Sequence, residues 1–334
     1  MPEPLISVIV PCLNEEPTIA LLLEALQRQS FPSTQFEVVI ADGNSTDGTR
    51  QRIAKFQLAH PHPAIRVIDN PSRAIPAGLN LAIAAARGGV ILRLDAHSVP
   101  DKDYLEQSLA DLKADKGWNV GGRWDIRPGS KNWIASAIAL AAGHPIGIGD
   151  AQYRFSEQAQ HVDTVPFGCF KKELIDQIGP FDESLQANED YEFNARIRAA
   201  GGQVWLNPAI RSVYFARAKF SALMKQYSRY GYWKWRMIQR FPTTLRWRQA
   251  LPPLFVLGLF LGPLLVFVWP WAKMVWLSAV VSYVTLLALV GIQITFQTKD
   301  LRNLVGVPAA IFIMHSSYGS AFLWSIIRST LPGN

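Results

Sequence analysis

The chain has 334 residues, 49% of them hydrophobic and 18% charged, with a formal net charge of +7. This length exceeds one minimal domain, and two cysteines, Cys12 and Cys169, exclude a disulfide framework and fit a reducing compartment. The charge is local: residues 1–210 carry 19 Lys or Arg against 25 acidic residues, whereas residues 211–250 carry ten basic residues and no acidic one. A basic band wedged between an acidic region and an apolar C-terminal third fits anionic lipid head groups or a pyrophosphate-bearing lipid, and argues against a nucleic-acid partner.

Along the first half, short apolar runs alternate with helical patterns. Residues 5–10 read as a buried strand; the run is brief, no basic residue precedes it, and Pro11 and Asn14 end it. It is therefore neither a signal peptide nor a span, and the first part of the chain is expected in the cytoplasm. Residues 14–17 supply cap and first-turn chemistry for a helix to about residue 29. A second strand covers 36–41, a tight polar turn 42–48 and a helix 49–59. A third strand covers 65–69, a helix 76–86 and a fourth strand 90–94, ending at Asp95. Such alternation predicts an α/β fold with a mostly parallel sheet and right-handed crossovers, whose ligands bind beyond the carboxyl ends of the strands. Asp42 and Asp95 both fall at such ends, so a shared site is expected there.

From residue 251 the pattern changes to long apolar stretches at 251–269, 274–294 and 304–327. About 20 apolar residues cross the hydrocarbon. The first two stretches qualify, joined by a hairpin at 269–273, and the third is weakened by His315, Ser316 and Ser317. Arg246, Arg248, Lys299 and Arg302 are expected on the cytoplasmic side. The segment 219–241 interleaves Tyr227, Tyr230, Tyr232, Trp233 and Trp235 with Lys and Arg and reads as an interfacial helix. Three parts are expected: a catalytic domain over 1–215, a basic aromatic segment over 216–248 and a membrane domain over 249–334.

The polar residues at the strand ends carry the chemistry. A carboxylate at Asp42 can accept from a base N–H, and the Gly43–Ser45 turn lets backbone approach a ligand closely. Asp42 alone is equally a turn or cap residue. The run Val8-Ile-Val-Pro-Cys-Leu-Asn-Glu15, followed by Ala41-Asp-Gly-Asn-Ser-Thr-Asp-Gly-Thr49, resembles the opening of family 2 glycosyltransferases, which have the GT-A fold. That resemblance places Pro11, Asn14, Asp42, Gly43 and Ser45 around the nucleoside, Glu15 toward the ribose and Arg73 at the base. Asp95-Ala-His97 stands where the family has Asp-x-Asp, so Asp95 and His97 are the implied ligands of a divalent cation, Mn²⁺ or Mg²⁺, with Asp95 also on the donor. The imidazole suits Mn²⁺, and oxygen ligands suit Mg²⁺ better.

Gly168-Cys-Phe-Lys-Lys-Glu, Ile178-Gly-Pro-Phe-Asp-Glu, and Asn188-Glu-Asp-Tyr-Glu-Phe-Asn-Ala-Arg196 are similar to the acceptor-side half of the same family. Glu189-Asp190 matches its Glu-Asp motif, which implies Asp190 as catalytic base with Glu189 beside it. A helix N-terminus also favours acidic residues without catalysis. Gln226-Tyr-Ser-Arg229-Tyr230 resembles Gln-x-x-Arg-Trp, with Tyr replacing Trp. These three residues and Gly168 join the implied nucleotide-sugar contacts. Asp-Ala-His with Gln-x-x-Arg-Tyr looks closest to the succinoglycan-biosynthesis glucosyltransferases. That subgroup implies an inverting transfer of a hexose, glucose first, from a UDP-sugar to a polyprenyl-diphosphate-linked saccharide at the cytoplasmic membrane. A processive polysaccharide synthase shares the motifs, but two or three spans make a poor conduit. A non-catalytic nucleotide-sugar binder is the reading from another class. A nicotinamide-dependent dehydrogenase is excluded, because Pro11-Cys-Leu-Asn-Glu-Glu stands where its glycine-rich loop belongs.

Overall fold

The four apolar runs of the first half form the strands β1 (Ile6–Cys12), β2 (Phe36–Asp42), β3 (Ala64–Asp69) and β4 (Val90–Arg93) in a computed structural model that describes residues 4–331. β1, β2 and β4 are buried along nearly their whole length, the pattern of strands covered on both faces. β1 pairs in parallel with β2 and β4, and β2 with β3. The helices between them, α1 (Ile19–Gln27), α2 (Thr49–Ala59) and α3 (Ile75–Ala85), supply the crossovers. The expected starts and ends hold to within a residue or two for these strands, and α2 matches its expected range.

Beyond β4 the sheet becomes antiparallel. Its further strands are β5 (Val99–Pro100), β6 (Asn119–Pro128), β7 (Gln160–His161), β8 (Gly168–Lys171) and β9 (Val204–Ala216). The order is β3-β2-β1-β4-β8-β6-β9-β5, with β7 on β9. β8 runs antiparallel to both β4 and β6. The fold is α/β with a mixed sheet, and Phe170, Phe181, Phe193, Ile197 and Leu206 build the core under its C-terminal half. Phe181 and Phe193 stack at 4.4 Å there.

The chain divides into two compact units, one holding the residues up to Asp125 with Gln152–Tyr214, the other Ile126–Ala151 with the chain from Phe215 on. The stretch 126–151, expected inside the first domain, thus belongs with the second unit. Its α5 (Trp133–Gly143) is an alanine-rich apolar helix with no polar face of its own. It packs on α12 (Asn303–Thr330), where Gly306 lies against Ala137 and Trp133.

The second unit also contains the short helix α6 (Pro145–Ile148), α9 (Phe220–Arg240), α10 (Trp247–Val268) and α11 (Pro270–Thr298). Among the described residues, three helices are long and apolar enough to cross a membrane, over Gln249–Val268, Trp271–Thr298 and Asn303–Thr330. The weaker third stretch therefore qualifies with the other two. His315 within it bonds Ile146 and Tyr283, at 3.0 Å each. The Ile146 carbonyl can only accept, so Nε2 carries the hydrogen and Nδ1 accepts from the Tyr283 hydroxyl, which satisfies both ring nitrogens. The side chain of Arg248 lies outside the described residues.

α9 and α12 approach closely at Gly231, where an added Cβ would stand 2.1 Å from the Tyr318 carbonyl oxygen. A Gly231→Ala protein is expected to lose about 1–3 kcal/mol of stability. Thermal unfolding followed by tryptophan fluorescence in detergent would show it as a fall in Tm of several degrees, and an unchanged Tm would contradict the close approach.

Candidate active site

The register of β1 with its two neighbours brings three loops to one edge of the sheet. Cys12 pairs with Asp42 and Ile9 with Arg93, so the segments after β1, β2 and β4 leave together. The first two loops are laced by hydrogen bonds. The Asn14 amide donates to Ser45 Oγ at 2.8 Å, Asn14 Oδ1 accepts from the Thr46 amide at 2.8 Å, and the Glu15 amide donates to Thr49 Oγ1 at 2.8 Å. Asn14 reaches this position with φ 53°, a left-handed conformation that Asn tolerates. Gly43 donates to the Cys12 carbonyl at 2.8 Å, and its Cα hydrogens face Leu13 and the Arg73 backbone. A Cβ would sit 3.3–3.4 Å from them, a tight contact that the loops would have to relax by a few tenths of an ångström to admit. Arg73 itself is exposed, at φ 57°.

Asp42 is fully buried. Its Oδ1 accepts from Ser45 Oγ, and its Oδ2 accepts from the Ser45 amide and from Arg50 Nε. Arg50 also reaches Asp69, at the end of β3. Here Asp42 orders the turn and holds Arg50 instead of presenting a bare carboxylate. Next to it, burial pushes the Cys12 thiol up to about 12, with Asp42 and Glu15 adding to the shift, so this thiol stays protonated and unreactive.

Asp95 lies two residues beyond the end of β4, with its carbonyl accepting from the Ser98 amide at 2.9 Å and Ser98 Oγ at 2.7 Å. His97 turns back, and its Nδ1 lies 3.1 Å from Glu15 Oε1. The other Glu15 oxygen accepts from Thr18 Oγ1. Both oxygens of the residue expected to face the ribose are thus used within the protein. A carboxylate on Nδ1 favours the tautomer whose Nε2 can ligate, as in many metal sites. Asp95 and His97 are both partly exposed, so they fit a cation that takes its other ligands from a bound diphosphate and water. Among the described residues no group of three His, Cys, Asp or Glu could hold an ion by itself.

Glu189 and Asp190 open α8 (Glu189–Ala199), whose first turn is acidic and whose last turn carries Arg196 and Arg198, as the helix dipole favours. Arg93 connects them with Asp95. Its Nη2 donates to Glu189 Oε1 at 2.8 Å and to Asp95 Oδ1 at 3.3 Å. Burial works against the Arg93 cation, but Asp95, Glu189 and Asp190 outweigh it and raise its pKa. Asp190 accepts from the Tyr191 amide at 2.8 Å. Burial, and then Glu189, push Asp190 up to about 7, while Arg93 holds it down.

Gly168 on β8 is a packing position: a Cβ there would stand 2.2 Å from Asn119 Oδ1. Asn119 in turn donates to Asn194 of α8 at 2.7 Å. Gln226, Arg229 and Tyr230 lie on α9 in the second unit, where Gln226 donates to the Tyr230 hydroxyl at 2.9 Å and Arg229 is exposed. Pro11 lies within β1, paired with Ala41.

Two features escaped the sequence reading. One is Arg93, whose signal was a charge inside the apolar run Val90-Ile-Leu-Arg-Leu. The other is a box around buried Arg154, whose guanidinium lies 5.2, 5.5 and 5.9 Å from the rings of Trp124, Tyr153 and Tyr214. Trp124 and Tyr214 stack at 4.2 Å. Burial raises the Tyr153 hydroxyl, Arg154 opposes the shift and Asp190 adds to it. No local pattern in the sequence joins these four residues.

The sequence profile described as glycosyl transferase family 2 matches residues 7–179, which include the laced loops, Arg93, Asp95 and Gly168. The chain belongs to glycosyl transferase family 2. It is 31% identical to the succinoglycan biosynthesis protein ExoA of Rhizobium meliloti, over 94% of this chain and 93% of that protein. It is 25% identical to the dolichyl N-acetyl-alpha-D-glucosaminyl phosphate 3-beta-D-2,3-diacetamido-2,3-dideoxy-beta-D-glucuronosyltransferase of Methanococcus voltae, over 97% of each chain. The mannosyltransferase of Pyrobaculum calidifontis, solved with GDP-Man and Mn²⁺, shares the fold with a TM-score of 0.60 at 20% identity, over 96% of this chain and 88% of that one. Family membership agrees with the resemblance read from the motifs, and the GT-A-type fold agrees with it too.

If Asp190 accepts a proton during transfer, its raised pKa sets the acidic side of the pH profile. Its carboxylate form dominates above about pH 7 and its protonated form below. The value of kcat/KM is therefore expected to rise about tenfold per pH unit up to about pH 7 and then level off. A profile flat from pH 5 to pH 8 would count against Asp190.

Proposed function

We propose that this glycosyltransferase inverts the anomeric centre and moves a hexose from a UDP-sugar to a lipid-linked saccharide at the cytoplasmic face of a membrane. The observation that carries the reading is the Arg93 guanidinium, whose one Nη2 atom bonds both Asp95 and Glu189. The carboxylate expected on the donor side and the pair containing the expected base therefore stand within reach of one side chain. A single displacement needs this closeness, since the base acts on the acceptor hydroxyl on the face opposite the leaving diphosphate.

In this reading Asp190 takes the hydroxyl proton of the acceptor. The acceptor oxygen bonds the anomeric carbon, the bond from that carbon to the diphosphate oxygen breaks, and the nucleoside diphosphate leaves with the electron pair. Asp95 and His97 would hold a divalent cation, Mn²⁺ or Mg²⁺, which would supply neutralisation of charge on the leaving diphosphate. The laced loops with Pro11, Asn14, Gly43 and Ser45 accommodate the nucleoside. Asp42 and Glu15 serve it indirectly, through Arg50 and Ser45 and through His97, and Arg73 approaches the base. Gly168 leaves room for the Asn119 side chain, and in this reading Gln226, Arg229 and Tyr230 keep the nucleotide-sugar roles that the family resemblance implies.

The membrane part of the proposal rests on the spans and on charge. Arg246 precedes α10, and Lys299 and Arg302 follow α11, so a two-helix hairpin puts these three basic residues on one side against Lys273 alone at its turn. That side is taken as the cytoplasmic one, with the chain multi-pass, 1–215 catalytic apart from 126–151, which belongs with the second unit, 216–248 interfacial and 249–334 in the membrane. An acceptor on a polyprenyl diphosphate fits the basic band of residues 211–250. The name of the Methanococcus voltae relative, which carries a dolichyl-linked sugar phosphate, supports a lipid-borne acceptor for this chain as well.

The test is a panel of UDP-, GDP- and dTDP-sugars, UDP-glucose first, with membranes that contain lipid-linked acceptors and with Mn²⁺ or Mg²⁺. Transfer from a UDP-hexose, abolished by EDTA and lowered about 10³-fold in Asp190→Asn, is the expected result. Full transfer by Asp190→Asn would remove the base, and activity untouched by EDTA would remove the metal. Products extended by many sugars would favour a processive synthase.

A further inference from the structure

We infer that Arg93 is a positioning residue for the transfer reaction: its buried guanidinium sets the spacing between Asp95 and Asp190, and Glu189 serves as its counter-ion. The inference rests on Asp190 as the base. Arg93 is 5% exposed and Glu189 6%. Their contact at 2.8 Å joins the end of β4 to the start of α8, elements almost a hundred residues apart in the chain. Asp95 and Asp190 are therefore tied through one planar group, because Asp190 follows Glu189 in the first turn of the helix.

Stability alone does not account for an arginine at this position. The Arg93 backbone pairs with Ile9, and the side chains of its strand neighbours are apolar and buried. Removing a guanidinium and a carboxylate from water carries a large desolvation cost, and well-packed apolar residues often replace such a pair without loss. The pair is also incompletely satisfied. Among the described residues, Arg93 Nε and Nη1 are buried without a hydrogen-bond partner, and so is Asn119 Oδ1. Both residues line one small cavity of about 10 Å³, together with Gly168, Asp190 and Asn194. A group kept at such cost beside the reacting carboxylate is a group kept for geometry.

Glu189 takes a different part from Asp190 in consequence. Its Oε1 is occupied by Arg93, and it is almost wholly enclosed, so it holds the cation and does not exchange protons with an acceptor. Lysine cannot substitute for Arg93, because an ammonium is a point charge and lacks the planar fork.

The test uses the full-length protein in detergent, with the nucleotide sugar that the donor panel selects, and with UDP and Mn²⁺ as the binding probe. Turnover is expressed per mole of UDP-binding protein, which removes any unfolded fraction. Arg93→Met is expected to lower kcat about 100-fold, the effect of a misplacement of about 1 Å, with UDP affinity within about threefold of the parent. Arg93→Lys should fall between the two. The paired change Arg93→Met with Glu189→Leu removes both charges; its kcat should stay low even though no lone ion remains buried. Three results would overturn the inference: kcat near the parental value in Arg93→Met, full activity in Arg93→Lys, or recovery of kcat in the paired variant. Asp190→Asn is run alongside. If it retains turnover, the base assignment has failed; if it loses turnover while Arg93→Met does not, only the positioning role has failed.

Discussion

The structure depends above all on the register of β1 between β2 and β4. β1 pairs Cys12 with Asp42 on one side and Ile9 with Arg93 on the other, over strands that are buried on both faces. Because side chains alternate along a strand, a slip of one residue would invert each of them and separate the three loop origins. The observed register sends Asn14 and Glu15, Gly43 and Ser45, and Asp95 and His97 off the same edge. The hydrogen bonds that the Asn14 amide donates to Ser45 and that Asn14 Oδ1 accepts from Thr46, and the contact between His97 and Glu15, follow from that adjacency. The site is thus a consequence of strand pairing first and of loop chemistry second.

Charge balance explains how the two halves of the site coexist. Asp95, Glu189 and Asp190, all ionised, bring three negative charges against the single positive charge of Arg93. The protein relieves part of the excess by raising Asp190 to about 7, where it is readily protonated. A divalent cation on Asp95 would match the two uncompensated charges. In the proposed reaction such a cation and Arg93 would together keep a carboxylate-rich pocket compatible with an incoming diphosphate. Arg93 also tunes the Asp190 carboxylate, holding its pKa down against burial and Glu189.

Local patterns in the sequence revealed the parallel half of the sheet, since apolar runs ending in Asp42 and Asp95 need only hydrophobic periodicity and turn chemistry to be recognised. The antiparallel half was less legible. β5, β7 and β8 hold two to four residues each, too few for a periodic signal, and β8 inserts between β4 and β6 through long-range pairing. The site was legible as a set of motifs but not as a set of contacts. Nothing in the order of residues shows that Glu15 turns to His97, that Asp42 is enclosed by Ser45 and Arg50, or that Arg93 reaches Glu189. Each of those is a contact between residues brought together by the sheet. Arg93 was the exception in having a local clue, since a charge in the middle of a buried strand requires a partner.

The same logic applies to the apolar helices of the second unit. Polar residues at 315–317 weakened the third apolar stretch, because an unsatisfied polar group in hydrocarbon costs several kcal/mol. Periodicity measures how apolar a helix is and does not report where its polar atoms go. His315 sends Nε2–H to the Ile146 carbonyl and receives the Tyr283 hydroxyl on Nδ1, and Ser316 returns its hydroxyl to the Phe312 carbonyl one turn earlier. α11 and α6 thereby supply the partners that water would otherwise supply. The polar interruption costs little once those helices are present, and it fixes which face of α12 turns toward them. A residue that reads as an argument against a span is then a reason for the span to pack in one orientation, and the alanine-rich α5, which has no polar face to offer water, packs on the same helix.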